Sequence, residues 1–203
     1  MSARELGGCQ WPGIEHPLYT HYHDTEWGVP KLRDVELFEK LILEGFQAGL
    51  SWLTILRKRD NFRDAFHAFD PERLASFTES DVSKLMRNDG IIRNRLKIEA
   101  SVQNAQSYIA LRERTTLAKF LFAQLKSGPI CNQFAAHGDI PGKTSLSESV
   151  SKALRREGFR FVGPTTTYAY MQSIGMVNDH LTGCARHKVC AKLQCDYDPQ
   201  SVY

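Results

Sequence analysis

A chain of 203 residues with 42% hydrophobic and 24% charged residues is long enough for one sizeable folded domain and too apolar to stay disordered. The formal net charge is only +3, which excludes a polybasic tail protein; a nucleic-acid partner would need positive charge gathered on one face. No apolar run approaches the roughly 18 residues of a membrane span, and Met1–Trp11 lacks an apolar signal core, so the expectation is a cytoplasmic protein whose five cysteines read as metal ligands or inert thiols before disulfides.

In chain order, residues 1–30 are rich in aromatic residues and histidine, and Pro12, Pro17 and Pro30 break any long helix there. The spacing of Leu37, Phe38, Leu41 and Gly45 predicts a helix from Asp34, its expected cap, to about Ala48. Ala48–Ser51 reads as a break, followed by short helices near 51–59, 61–68 and 71–76, the last opened by Asp70-Pro71. Further helices are expected at 79–87, from about Ile92 to Arg114, at 116–126, from Ser145 to Gly158 and from about Thr165 to Ile174. Ser145 and Glu148 have capping-box spacing. No long alternating segment stands out, so the predicted fold is all-α with short connections, and the stretch 129–144 carries no assigned function.

Glu44 is the residue out of keeping with its surroundings. Leu37, Leu41, Glu44 and Ala48 fall at i, i+4, i+7 and i+11, within one arc of a helix face. A carboxylate on an apolar stripe is costly to bury without a partner. With Trp52 just past the break, the pair describes a pocket that has a negative charge and a π-face. Such a pocket suits a flat cationic ligand, and adenine methylated at N3 in DNA is one.

Cys9 and His23 stand near one end of the chain, and His180 and Cys184 near the other with the spacing H-x3-C. Two cysteines and two histidines make a closed tetrahedral zinc site of the structural kind. His180, Cys184, His187 and Cys190 form a rival set within the tail, and spacing leaves both sets open. Between two predicted helices, Lys84–Lys97 reads as a basic hairpin. Gly90 permits the tight turn, the amide of Ile91 and its neighbours face outward, and Arg93, Arg95 and Lys97 add positive charge. That arrangement grips a phosphate backbone without reading sequence.

Five segments in order carry a resemblance: Tyr22–Gly28, Leu43–Trp52, Asp89–Arg93, Lys152–Gly163 and Val177–Cys184. Together they resemble the DNA-3-methyladenine glycosylase I family over nearly the whole chain. The resemblance implies a helix-hairpin-helix glycosylase domain over 1–203, with a helical core at about 34–175 and a zinc clip from about 1–30 and 176–203. It implies one structural zinc ion on Cys9, His23, His180 and Cys184, and so favours the end-to-end set. It implies that Glu44 and Tyr22 hydrogen-bond the excised base while Trp52 stacks on it, that Trp11, Tyr19 and Trp27 wall the pocket, and that Leu50 wedges into the gap left by the flipped nucleotide. The partner implied is alkylated double-stranded DNA, with no membrane, no obligate protein partner and a monomeric enzyme.

Related hairpin glycosylases use an Asp shortly after the hairpin, but none occurs between Ile91 and Pro129. That fits a leaving group already activated by its positive charge. No Lys stands where a Schiff-base nucleophile is expected, so base removal without strand cleavage is the expectation. A non-catalytic zinc-containing DNA-binding protein and a glycosylase for a different base lesion are the alternatives. A charged aromatic pocket argues against the former.

Overall fold

The structure, a computed structural model, describes residues 8–196; the outermost parts of the two predicted clip segments, residues 1–7 and 197–203, lie outside the described residues. The chain is mostly helical: α1 (Pro17–Thr25), α2 (Asp34–Gln47), α3 (Trp52–Ala65), α4 (Pro71–Ala75), α5 (Glu79–Leu85), α6 (Arg95–Arg112), α7 (Leu117–Phe122), α8 (Ser145–Arg156), α9 (Pro164–Ser173) and α10 (Ala185–Cys195). Two short strands, β1 (Ile130–Cys131) and β2 (Val177–Asn178), pair in parallel. No helix among the described residues is long and apolar enough to cross a membrane.

α2 is the axis of the fold. It packs against α3, α6, α7 and α9, and Leu37, Phe38, Lys40–Phe46 are all buried. A helix apolar nearly all round belongs inside, so the stripe predicted for one face is in fact most of the circumference. Phe46, Phe62, Phe66 and Phe69 form an aromatic cluster where α2 meets α3, with Phe46 and Phe62 centroids 4.6 Å apart. The Tyr170 hydroxyl of α9 donates to the Leu37 carbonyl at 2.9 Å, anchoring α9 to the axis.

Several helix ends differ from the prediction for identifiable reasons. In place of the two helices expected over 51–68 there is one, α3 (Trp52–Ala65), capped by the Ser51 hydroxyl on the Thr54 amide and followed by a left-handed turn at His67–Phe69. Asp34 does not cap α2; it is the first helical residue, and its carboxylate accepts from the Leu117 and Ala118 amides at 2.8 and 3.0 Å and from the Tyr108 hydroxyl at 3.2 Å. It therefore serves the N-terminus of α7, a distant segment. The capping box of α8 sits one residue earlier than predicted, on Thr144 with Ser147, and Glu148 pairs with Lys143 instead. α6 begins at Arg95, not Ile92, because Asn94 caps it. α1 and α10 went unpredicted; neither has a strong apolar stripe, and the contacts that hold them are tertiary, α1 on α3 and α10 on β2.

The chain ends are drawn together against α9. The amides of Gly28 and Lys31 donate to the carbonyls of Gln172 and Ile174 at 3.1 Å each. Gly175 lies at φ +75, and a Cβ there would stand 2.3 Å from the Pro30 nitrogen. Only glycine permits that approach.

Candidate active site

Glu44 lies on the buried face of α2, 3% exposed, at the base of a cavity of about 390 Å³. The cavity brings together every residue predicted for the base pocket: Trp11, Tyr19, Tyr22, Trp27, Glu44 and Trp52 all line it. The aromatic walls are mutually braced. Tyr22 and Trp52 have ring centroids 5.4 Å apart at 50°, and Trp11 meets Trp27 edge-on at 4.5 Å. The Trp52 indole N–H is buried and has no acceptor among the described residues.

Burial pushes the Glu44 carboxyl up to about 7, with the Lys40 ammonium and the Ser173 hydroxyl opposing. Burial and the neighbouring Glu44 raise the hydroxyls of Tyr19, to about 12, and Tyr22, so both stay protonated donors at neutral pH. The cavity thus offers an acid near its ionisation point, hydroxyl donors and indole faces.

Other cavity residues escaped the sequence reading. His137 and Ile140 reach it from 129–144, a stretch to which the sequence assigned no function. Tyr168 and Gln172 line it from α9 and are both held by the buried carboxylate of Asp179, at 2.6 and 2.7 Å. The signal was present in Val177–Cys184, where Asp179 stands beside His180, but nothing local says which side chains it orients.

Cys9, His23, His180 and Cys184 are all buried, and their ligand atoms lie within 4.8 Å of one another. Such a group could hold a metal ion. Cys184 Sγ stands 3.7 Å from His23 Nε2 and from His180 Nδ1, and Cys9 Sγ is 3.7 Å from His180 Nδ1. The second nitrogens are also engaged, His23 Nδ1 with Asp24 at 2.6 Å and His180 Nε2 with the Trp27 carbonyl at 3.0 Å, which fixes both rings. The rival tail set is not assembled. His187 Nε2 faces the Asn132 carbonyl at 2.8 Å, and Cys190 is buried near the Trp27 carbonyl. Cys195 is exposed.

The predicted DNA-contact residues divide. Leu50 is 41% exposed at the tip joining α2 to α3, next to Gly49 at φ +84. Arg93 is exposed, and Arg95 is paired with Glu79 at 2.7 Å. The amides of Gly90 and Ile91 are taken by Asn88 within the turn, and the Ile91 side chain is buried; the amides of Ile92 and Arg93, like those of Arg95 and Leu96 at the start of α6, have no acceptor among the described residues. Lys97 does not reach the surface. Its buried ammonium donates to the Phe46 and Ala48 carbonyls at 2.9 and 2.7 Å, so it closes the C-terminus of α2 rather than presenting charge to phosphate.

The family model for methyladenine glycosylase matches residues 11–187. The chain belongs to the methyladenine glycosylase family. A DNA-3-methyladenine glycosylase of Haemophilus influenzae is 46% identical over 177 residues, spanning 87% of this chain and 95% of that one. A crystal structure of a 3-methyladenine DNA glycosylase I superposes with a TM-score of 0.85 at 46% identity, covering 88% of this chain and 98% of the other. A variant of a 3-methyladenine DNA glycosylase I in complex with 3-methyladenine superposes at 0.82 with 35% identity, covering 85% and 94%. Membership makes the chain a glycosylase, a hydrolase of N-glycosyl bonds. The matched span includes the whole cavity wall and three members of the Cys/His cluster; Cys9 precedes it.

Proposed function

We propose that this glycosylase removes 3-methyladenine from alkylated duplex DNA by hydrolysis, leaving the free base and an abasic site. The observation that carries the reading is the buried Glu44 carboxyl set among Tyr22, Trp52 and the other aromatic walls. The names of its relatives, and the complex of one of them with 3-methyladenine, support it.

A base inside a duplex is out of reach of a cavity, so the nucleotide has to be flipped out, at a cost of a few kcal/mol that is least for damaged bases. Leu50 is the wedge for the vacated stack. α5, the turn after it and α6 are read as a helix-hairpin-helix whose free Ile92 and Arg93 amides, with the exposed Arg93, take a phosphate. Inside the cavity, Trp52 and the indoles attract the cationic purine, Glu44 as a carboxylate accepts from its N–H groups and Tyr22 donates. The glycosidic bond breaks with its electron pair going to the base, which leaves neutral. Water adds to the sugar carbon and loses a proton to solvent. The base departs without needing a protein acid, so Glu44 recognises and stabilises rather than abstracts. No strand cleavage accompanies the step.

Zinc fits the Cys/His cluster as a structural ion. With zinc–sulfur and zinc–nitrogen bonds of about 2.3 and 2.05 Å, tetrahedral neighbours stand about 3.6 Å apart, close to the 3.7 Å between Cys184 Sγ and each imidazole nitrogen. All four positions are filled by protein, so the ion would clip the chain ends together, stiffening the Trp11 and Trp27 wall without joining the chemistry. One folded unit, acting as a monomer, suffices for this reaction.

Incubation with methylated DNA and chromatography of the released base tests the reading: 3-methyladenine should appear, and a nick without added endonuclease would contradict base removal alone. Glu44→Gln should slow single-turnover excision by roughly a hundredfold or more while still binding abasic DNA. Excision at the wild-type rate would remove Glu44 from the mechanism.

A further inference from the structure

Lys40 is a lysine where the core has no evident need of one. It is 5% exposed on α2, one helical turn before Glu44, and burial pulls its ammonium down to about 7. Its Nζ makes no hydrogen bond among the described residues. It lies 4.1 Å from the Tyr22 ring centroid and 4.7 Å from that of Trp52. Both rings line the cavity, and Lys40 does not. The nearest carboxylate, Glu26, is 3.9 Å away and already accepts from Arg59 Nη1 at 2.8 Å on each oxygen. Burial works against the charge of Glu26, but Lys40 and Arg59 outweigh it and hold its carboxyl below the usual range. Glu26 thus shares its charge between Arg59 and Lys40, and the Lys40 field also falls on the rings and on Glu44.

We infer that Lys40 is a positioning residue of the base pocket: its buried ammonium, set against Tyr22 and Trp52 a turn from Glu44, favours the carboxylate form of Glu44 while the pocket is empty. This deepens the reading of Glu44 as the anion that recognises a cationic base. An empty apolar cavity favours the neutral acid, and a neutral acid has no preference for a positive purine over a neutral one. Methionine would fill the same space as the lysine stem without desolvating a charge, so packing gives no reason for the ammonium. The titratable groups that bear on the pair are the neutral hydroxyls of Tyr19 and Tyr22 from α1 and Tyr170 from α9, and the charged Glu26 and Lys31 after α1 and Arg59 from α3. Among them Lys40 is the cation that lowers Glu44. His137 lines the cavity as well.

The test is single-turnover excision of 3-methyladenine from methylated duplex DNA between about pH 5.5 and 8.5, with Lys40→Met, Lys40→Arg, Arg59→Met and Glu44→Gln beside the wild type. Excision falls as pH falls through the Glu44 ionisation. Removing the cation raises that ionisation, so in Lys40→Met the acid limb moves up by about one pH unit, a rate loss near tenfold on the limb that vanishes at high pH. Lys40→Arg keeps the limb in place. Arg59→Met, at a partly exposed site, lets Glu26 take the Lys40 charge and moves the limb the same way, which keeps the inference testable should Lys40→Met fold poorly. A merely structural lysine would lower the rate equally at every pH. A limb unmoved in both Met variants, or moved as far by Lys40→Arg as by Lys40→Met, overturns the inference. A Glu44→Gln variant that stays fast overturns the base-recognition reading itself, whereas a slow, pH-flat Glu44→Gln beside an unmoved limb defeats only the role of Lys40.

Discussion

Asp34 shows how far one side chain can act from its own helix. Its carboxylate holds the first amides of α7 and the Tyr108 hydroxyl, joining α2, α6 and α7 at one point. Asp34→Ala leaves the first two α7 amides and the hydroxyl of the buried Tyr108 without their acceptor. The expected cost is about 2 kcal/mol, read as a lower urea midpoint at unchanged slope. Excision should change little, because none of these groups borders the cavity. Glu44 was legible as a charge on an apolar arc, because periodicity alone exposes a misplaced carboxylate. Lys40 was not, since a lysine reads as a solvated stem until tertiary packing shows its ammonium enclosed.

At the scale of elements, the α2–α3 tip and the turn before α6 form one device. Lys97, near the start of α6, closes the last carbonyls of α2, while Lys58 and Asn61 of α3 donate to the Asp89 and Gly90 carbonyls at 2.7 and 3.3 Å. Leu50 and Arg93 therefore ride on a common frame. Lys97→Met should weaken binding to abasic duplex severalfold without altering its dependence on salt, because no phosphate charge is lost. Arg93→Ala should lower the slope of log affinity against log salt by about one. Equal slope changes in the two variants would return Lys97 to the phosphate face. Sequence spacing marked the turn through Gly90 and its basic flank. It could not separate a lysine that caps a neighbouring helix from one that faces DNA, because both have the same local pattern.

For the molecule as a whole, residues far apart in sequence make both the cavity and the Cys/His cluster. Cys9 and His23 meet His180 and Cys184 across almost the full chain, and Trp11 and Trp27, beside that cluster, are also cavity walls. An ion held by the cluster, as proposed, would therefore stiffen the cavity. With zinc bound at one per chain, chelation should lower the thermal midpoint by roughly 10 °C and reduce excision with it. Cys9→Ser should lose the ion and Cys190→Ser should keep it, measured as zinc per chain; the reverse result would restore the tail set.

The sequence by itself determined the helical class, the existence of a charged aromatic pocket and the residue types of a metal cluster, because these follow from local periodicity, breakers and composition. Tertiary structure alone decided that Asp34 and Lys97 serve helices other than their own and that His137, Tyr168, Gln172 and Lys40 belong in or behind the cavity, and it brings together the ligand set that spacing left open and the resemblance favoured. The physical reason is that a side chain's chemistry is set by what packs around it, and those neighbours come from segments tens of residues away that no local pattern names.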